Sequence, residues 1–413
     1  MDEKIIRIGN CSGFYGDKLS AAKEMVEGGP IDVLTGDYLA ELTMAILFSQ
    51  KMQRGEKAGY VGTFMKQLKE IANTCAEKNI KIVSNAGGLN PKSMAEDVEE
   101  MLKAMNLDLK VAYIDGDDLM PRLDELKSSG EKLNNIDTGE GFFEQNMPPL
   151  SANAYLGCWA IKEALDQGAD IVICPRVTDA AVVMGPAAWK YDWNKNDFNK
   201  LAGALAAGHI IECGAQATGG NYSFFHEVPT FENIGYPIAE IKEDGSFYIT
   251  KHENTGGLVS TGTVTAQLLY EISSPDYLNP DVISHFDTLK IEEVGKDRVY
   301  ISGTKGSPPP PTHKVCMNLS GGYKNGMELI VTGLDIPEKA KIFTDELFRS
   351  LGGKEQFDDV SIQLYRTDKK NPETNEEAMA ILKIVVKSKT PEIVGRIFSA
   401  KIVELALANY PGW

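Results

Sequence analysis

Ile5-Ile6-Arg7-Ile8-Gly9-Asn10-Cys11-Ser12-Gly13-Phe14-Tyr15-Gly16-Asp17 opens as a short β-branched run, stops at Gly9 and Asn10, and turns into the helix-like segment Lys18 to Glu27. The same pattern recurs at Ile31 to Leu34, Ile80 to Ser84, Lys110 to Ile114 and Asp170 to Cys174. Helical periodicity fills the intervals, at Asp37 to Lys51, Phe64 to Lys78, Lys92 to Met105 and Tyr155 to Gln167. Short apolar runs bounded by Gly, Asn or Asp read as strands, and segments of period 3.6 read as helices. Their alternation predicts an α/β fold with a mostly parallel, doubly wound sheet covered by helices on both faces.

Such sheets bind ligands outside the carboxyl ends of their strands. After the first run come Asn10, Ser12 and Gly13; after the second, Thr35-Gly36-Asp37-Tyr38; after the third, Asn85-Ala86-Gly87-Gly88. The fourth ends in Asp115-Gly116-Asp117-Asp118 and the fifth in Pro175-Arg176-Val177-Thr178-Asp179. These polar residues are expected on one rim.

The pattern then changes, giving three expected parts: a parallel α/β domain over 1–188, a Gly-rich, β-containing substrate or lid region over 189–311, and a small α/β sandwich over 312–413. The proline run Pro308 to Pro311 cannot be helix interior and marks the last boundary. In the third part the expected order is strand Met327 to Thr332, helix Pro337 to Leu351, strands Val360 to Tyr365 and Ala378 to Val386, and helix Thr390 to Leu407.

Composition excludes several classes. The chain has 413 residues, 59 acidic and 42 basic, for a net charge of −17, and 43% hydrophobic residues provide a core. An acidic surface repels phosphate backbones, so nucleic acid is not an expected partner. No run approaches the roughly 18 apolar residues of a membrane span, and the charged start Met1 to Ile8 does not read as a secretory signal. The six cysteines are scattered without CxxC pairs, which together with these features suggests a cytoplasmic protein with reduced thiols.

Several residues carry candidate chemistry. The turn at Asn10 to Asp17 offers amides to an anion or is a plain tight turn; it matches no named nucleotide motif. Asp37 is either an N-cap or, at the rim, a general acid/base or a cation ligand, since burial raises a carboxyl pKa. Arg176 either pairs with Asp179 or clamps a carboxylate, with Asp179 orienting it. Asp115, Asp117 and Asp118 form a solvated loop or a divalent-cation site. In Glu212-Cys213-Gly214-Ala215-Gln216-Ala217-Thr218-Gly219-Gly220-Asn221, Glu212 is an acid/base candidate. Cys213 is a nucleophile if His209 lowers its pKa, and otherwise a packed thiol. Gln216, Thr218 and Asn221 are donors for a carbonyl or hydroxyl.

The phrases Ile8-Gly9-Asn10-Cys11-Ser12-Gly13-Phe14-Tyr15-Gly16-Asp17, Leu34-Thr35-Gly36-Asp37-Tyr38, Asn85-Ala86-Gly87-Gly88-Leu89-Asn90-Pro91, Ala152-Asn153-Ala154-Tyr155-Leu156-Gly157, Arg176-Val177-Thr178-Asp179-Ala180 and Gly208-His209-Ile210-Ile211-Glu212-Cys213-Gly214 resemble those of the acyclic terpene utilisation AtuA family, over nearly the whole chain. The resemblance implies a catabolic role on branched carboxylic acids or their coenzyme A thioesters. Gly87 and Gly88 at the third strand's end, Gly219 and Gly220 in the Gly-rich phrase, and Asn153 are further substrate-binding candidates. Longer family members carry a ferredoxin-like C-terminal domain, which is not expected within this chain.

Two readings follow. In one, the protein is a hydratase/dehydratase or carbon–carbon lyase. Asp37 or Asp179 moves a proton beside a carbonyl, and amides of the Gly-rich turns hold the oxyanion. In the other, it is a binding or assembly subunit completed by a small ferredoxin-like partner. A metal-dependent lyase using Asp115 to Asp118 is a variant of the first. No resident cofactor is expected beyond a CoA thioester substrate or a divalent cation, and a homo-oligomer is expected as for most soluble enzymes.

Overall fold

The first run forms the strand Ile5–Asn10, and the next four runs form Val33–Gly36, Lys81–Ser84, Val111–Tyr113 and Ile171–Ile173. The computed structural model describes residues 5–145 and 147–411; the charged residues Met1 to Lys4, Asn146 and the last two residues lie outside that description. The five strands pair in parallel in the order Ile5–Asn10, Val33–Gly36, Lys81–Ser84, Ile171–Ile173, Val111–Tyr113. On the free side of Ile5–Asn10, the strands Pro237–Lys242, Phe247–Lys251, Arg298–Ser302 and Lys290–Gly295 continue the sheet antiparallel, making nine strands in all. Residues 189–311 therefore add strands to the same sheet.

Side-chain alternation along the strands divides the core. Leu34, Ile82, Ile171 and Ile173 pack with the helices Ala21–Gly28, Gly62–Lys78 and Pro91–Ala104. Ile6, Ile8, Val33, Val83 and Val172 pack on the other face with Trp159–Asp166, Ala181–Lys190 and Phe198–Ile211. The doubly wound α/β fold expected from the sequence is thus the fold observed.

The helix Phe198–Ile211, inside the stretch expected to be β-rich, is buried on nearly every side from Leu201 to Ile211. A helix enclosed by protein has no polar stripe, so it shows no amphipathic period. Its Gly208 lies so close to Ala180 that a Cβ there would stand 2.8 Å from the Ala180 Cα. This helix aims its C-terminal end at the rim where the parallel strands finish.

Ser320–Trp413 form a second compact unit and Met1–Leu319 the first; Val315–Leu319 pairs back onto Pro149–Ala154 within the first unit. In the second, the strands Tyr323–Thr332, Met379–Ser388 and Asp359–Arg366 lie in that order, all antiparallel, with Phe343, Phe398, Leu382 and Ile384 in a core under the helices Ile336–Ser350 and Arg396–Glu404. This is the expected small α/β sandwich. Its last helix, expected unbroken, is split into Pro391–Val394, Arg396–Glu404 and a final 3-10 turn at Leu405–Leu407, because Gly395 leaves helical geometry at ψ −138°. Among the described residues, no helix is long and apolar enough to cross a membrane.

Candidate active site

Five polar side chains mark the carboxyl ends of the parallel strands. Asn10 ends the first strand, Asp37 and Asn85 follow the second and third, and Arg176 and Asp179 follow Ile171–Ile173. Glu212 arrives from the end of the Phe198–Ile211 helix. Asn10 ties that helix to the sheet: its Nδ2 donates to the Ile211 carbonyl at 2.6 Å and the Glu212 carbonyl at 3.2 Å, while its Oδ1 accepts the Ser12 amide at 2.6 Å. These bonds fill two of the carbonyls that a helix C-terminus leaves open. Gly13 is packed against the same place, since a Cβ on it would meet the Cys213 carbonyl carbon at 2.5 Å.

Asp37 is not an N-cap as one expectation had it, because the helix after it starts only at Glu41. Its amide instead donates to Ser12 O at 3.0 Å, and its Oδ1 accepts from Asn85 Nδ2 at 2.5 Å and from the Leu39 amide at 3.2 Å. The Asn85 Oδ1 accepts the Tyr38 amide at 2.8 Å, which fixes the direction of its own amide group.

Asp37, Asp179 and Glu212 each place a carboxylate oxygen so that the three atoms lie within 4.8 Å of one another, the single group of this kind among the described residues. Burial, with the charges of Asp179 and Glu212, pushes the Asp37 carboxyl well above the usual carboxylate range, against the pull of Arg176. Burial pushes Glu212 up to about 7, opposed by His209. Burial disfavours a charged His209, but the adjoining Glu212 outweighs it and raises its pKa.

The tautomer follows from contacts. His209 Nε2 faces the Leu268 carbonyl at 3.2 Å and so carries a hydrogen, while Nδ1 stands 3.1 Å from Glu212 Oε1. One proton on that second contact serves either as imidazolium with carboxylate or as imidazole with carboxylic acid. Glu212 Oε2 is buried with no hydrogen-bond partner among the described residues.

Arg176 is 1% exposed. Its Nη1 donates to Leu39 O at 2.7 Å, its Nε and Nη2 to Val177 O at 2.9 and 2.6 Å, and Nη2 also to Asp179 Oδ1. The guanidinium lies 4.4 Å over the Tyr155 ring. The expected clamp is therefore spent on protein groups, and Arg176 positions Asp179 and the Leu39 turn. Asp117, expected in a cation site, instead accepts the Arg176 amide at 3.2 Å and Asn153 Nδ2 at 2.8 Å, whereas Asp115 and Asp118 are exposed.

Other expected roles also meet a different geometry. Burial and the neighbouring carboxylates push the Cys213 thiol up, the reverse of what a nucleophilic thiolate requires. The Gly-rich turns consume their own amides: Gly13 donates to Asp17 Oδ2 at 2.8 Å, Gly87 to Cys174 O at 3.0 Å, Gly88 to Asn85 O at 3.2 Å, Gly219 to Gln216 O at 3.2 Å and Gly220 to Ala215 O at 2.9 Å. Thr218 Oγ1 bonds the carbonyls of Gly235 and Ala215, and Asn221 reaches Gln216 at 3.4 Å. Tyr155 and the His209 pairing with Glu212 were not singled out by the sequence. The i,i+3 spacing of His209 and Glu212 is the sole local signal of that pair.

The family model described as acyclic terpene utilisation family protein AtuA matches residues 6–413. No curated protein and no solved structure gives a match.

Proposed function

This chain belongs to the acyclic terpene utilisation AtuA family, and from that membership and the site's chemistry we propose a catabolic enzyme that moves a proton next to the carbonyl of a branched carboxylic acid or its acyl-CoA thioester. Hydration/dehydration and carbon–carbon lysis share that step. The observation that carries the reading is the convergence of Asp37, Asp179 and the Glu212–His209 pair at the carboxyl rim of the parallel sheet. A general acid/base works best with a pKa near the working pH, and Glu212, pushed up to about 7, meets that condition. Asn85 holds Asp37, and Arg176 holds Asp179, so both carboxylates are fixed in direction before substrate enters.

The test is turnover of a panel of branched 2-enoyl-CoA and 3-hydroxyacyl-CoA thioesters and their free acids, read by mass spectrometry as gain or loss of water or as chain cleavage. Asp37→Asn and Asp179→Asn are expected to lower the rate by about 10²- to 10⁴-fold, the usual range for a positioned acid or base. Unchanged turnover in both variants refutes the assignment.

A further inference from the structure

We propose that Asp37, Asp179 and Glu212 together bind one divalent cation that prefers oxygen ligands, of the Mg²⁺ or Mn²⁺ class. The inference rests on the same residues as the proposed acid–base reading and asks what else they hold. Two oxygens on one such ion stand about 3 Å apart when adjacent and about 4.2 Å when opposite. One oxygen from each carboxylate already lies within 4.8 Å of the others; Asn10 holds the Glu212 backbone carbonyl, and Asn85 and Arg176 hold the carboxylates of Asp37 and Asp179.

An independent observation points to a ligand. Glu212 is 5% exposed, its Oε1 is taken by His209, and its Oε2 is buried with no hydrogen-bond partner among the described residues. An ionised carboxylate is acceptor-only, so such an oxygen is satisfied only by a donor or a cation. Arg176 does not fill that role, because its contacts are with Asp179 and the carbonyls of Leu39 and Val177.

The donor set selects the ion. Neither His209 nor Cys213 places a ligand atom in the group, and the two ring nitrogens of His209 are held by Glu212 and Leu268. With carboxylate oxygens alone, the site suits hard cations over zinc or copper. Three carboxylates leave several positions of an octahedral ion to water or substrate oxygens, and Mg²⁺ usually keeps several waters.

Manganese alone tests this without substrate. The purified full chain is titrated with MnCl₂ and the six-line electron paramagnetic resonance signal of free Mn²⁺ is followed. The wild type is expected to remove one equivalent of signal per chain. Glu212→Gln and Asp37→Asn are expected to weaken binding at least tenfold, while Asp115→Asn, outside the group and exposed, binds as wild type. Circular dichroism melting checks that each variant folds; should both buried variants fail to fold, Asp179→Asn at the more open edge of the cluster carries the test. No loss of signal with wild-type protein overturns the inference, as does equal binding by the folded variants. Manganese binding without turnover of any acyl substrate would sink the proposed function and leave this site standing. Turnover by a chain that takes up no manganese would do the reverse.

Discussion

Arg176→Lys isolates what the buried guanidinium does, because it keeps the charge and removes the fork. The native side chain makes four hydrogen bonds, to Leu39 O, to Val177 O twice and to Asp179, and lies 4.4 Å over the Tyr155 ring. An ammonium is a compact donor that cannot span the three acceptors. Keeping Asp179 leaves at least one buried carbonyl bare, at about 1–3 kcal/mol each. Losing the planar stack on the tyrosine adds about 0.5–1 kcal/mol, so the expected loss is about 2–4 kcal/mol. The assay is equilibrium urea unfolding followed by tryptophan fluorescence, to which Trp159, Trp189 and Trp193 of the first unit report. With a slope of about 3 kcal/mol/M for a unit this large, the midpoint should fall by about 1 M at unchanged slope. Arg176→Met should cost more, about 3–5 kcal/mol, by leaving Asp179 without its partner. A lysine midpoint within about 0.2 M of wild type refutes the assignment of these contacts.

Three further outcomes follow from other parts of the molecule. Gly13→Ala puts a Cβ 2.5 Å from the Cys213 carbonyl carbon, so the backbone beside Glu212 must shift, at about 1–3 kcal/mol; Gly16→Ala, which meets only the Phe14 ring at 3.2 Å, should melt as wild type. Equal melting temperatures for the two would contradict this packing. Asp117 is pushed up to about 6 by burial, so the folded chain binds its proton more tightly than the unfolded chain does. Stability from that proton is complete below about pH 4 and is lost as pH rises through about 6, worth up to about 3 kcal/mol; stability curves of wild type and Asp117→Asn that run parallel over that window would rule it out. Phe343→Ala empties a fully buried position in the second unit. It should cost about 3–5 kcal/mol, read as faster hydrogen exchange in Tyr323–Thr332 and Met379–Ser388, and unchanged exchange there would be decisive against it.

The parallel half of the sheet was legible because each strand is a β-branched run that ends abruptly at Gly, Asn or Asp. Those endings also located Asp37, Arg176 and Asp179, since the rim of such a sheet is where strand ends must lie. The Phe198–Ile211 helix was not legible: Leu201-Ala202-Gly203-Ala204-Leu205-Ala206-Ala207-Gly208 is buried all round, and a segment without a wet face has no period to detect. Its loss hid the geometry that matters most, with His209 and Glu212 one turn apart and paired. Glycines misled in the other direction. Their density suggested amides free for a ligand, but in the folded chain Gly13, Gly88, Gly219 and Gly220 close their own turns onto residues three to five positions away, and Gly87 bonds the distant Cys174 carbonyl. The burial of Arg176 is likewise a product of long-range contacts, from Leu39 and Tyr155.

A substrate site at the carboxylate cluster is tested by the thermal stability of the purified chain with a branched acyl-CoA, with free CoA and with the matching free acid, for wild type and Asp37→Asn. At 100 times its dissociation constant a bound ligand adds about 2.7 kcal/mol. Stabilisation of the wild type by the acyl-CoA or the acid, absent with CoA alone and lost in Asp37→Asn, is the expected result. No shift with any acyl ligand, or the same shift in Asp37→Asn, would contradict a substrate site built on Asp37, Asp179 and Glu212.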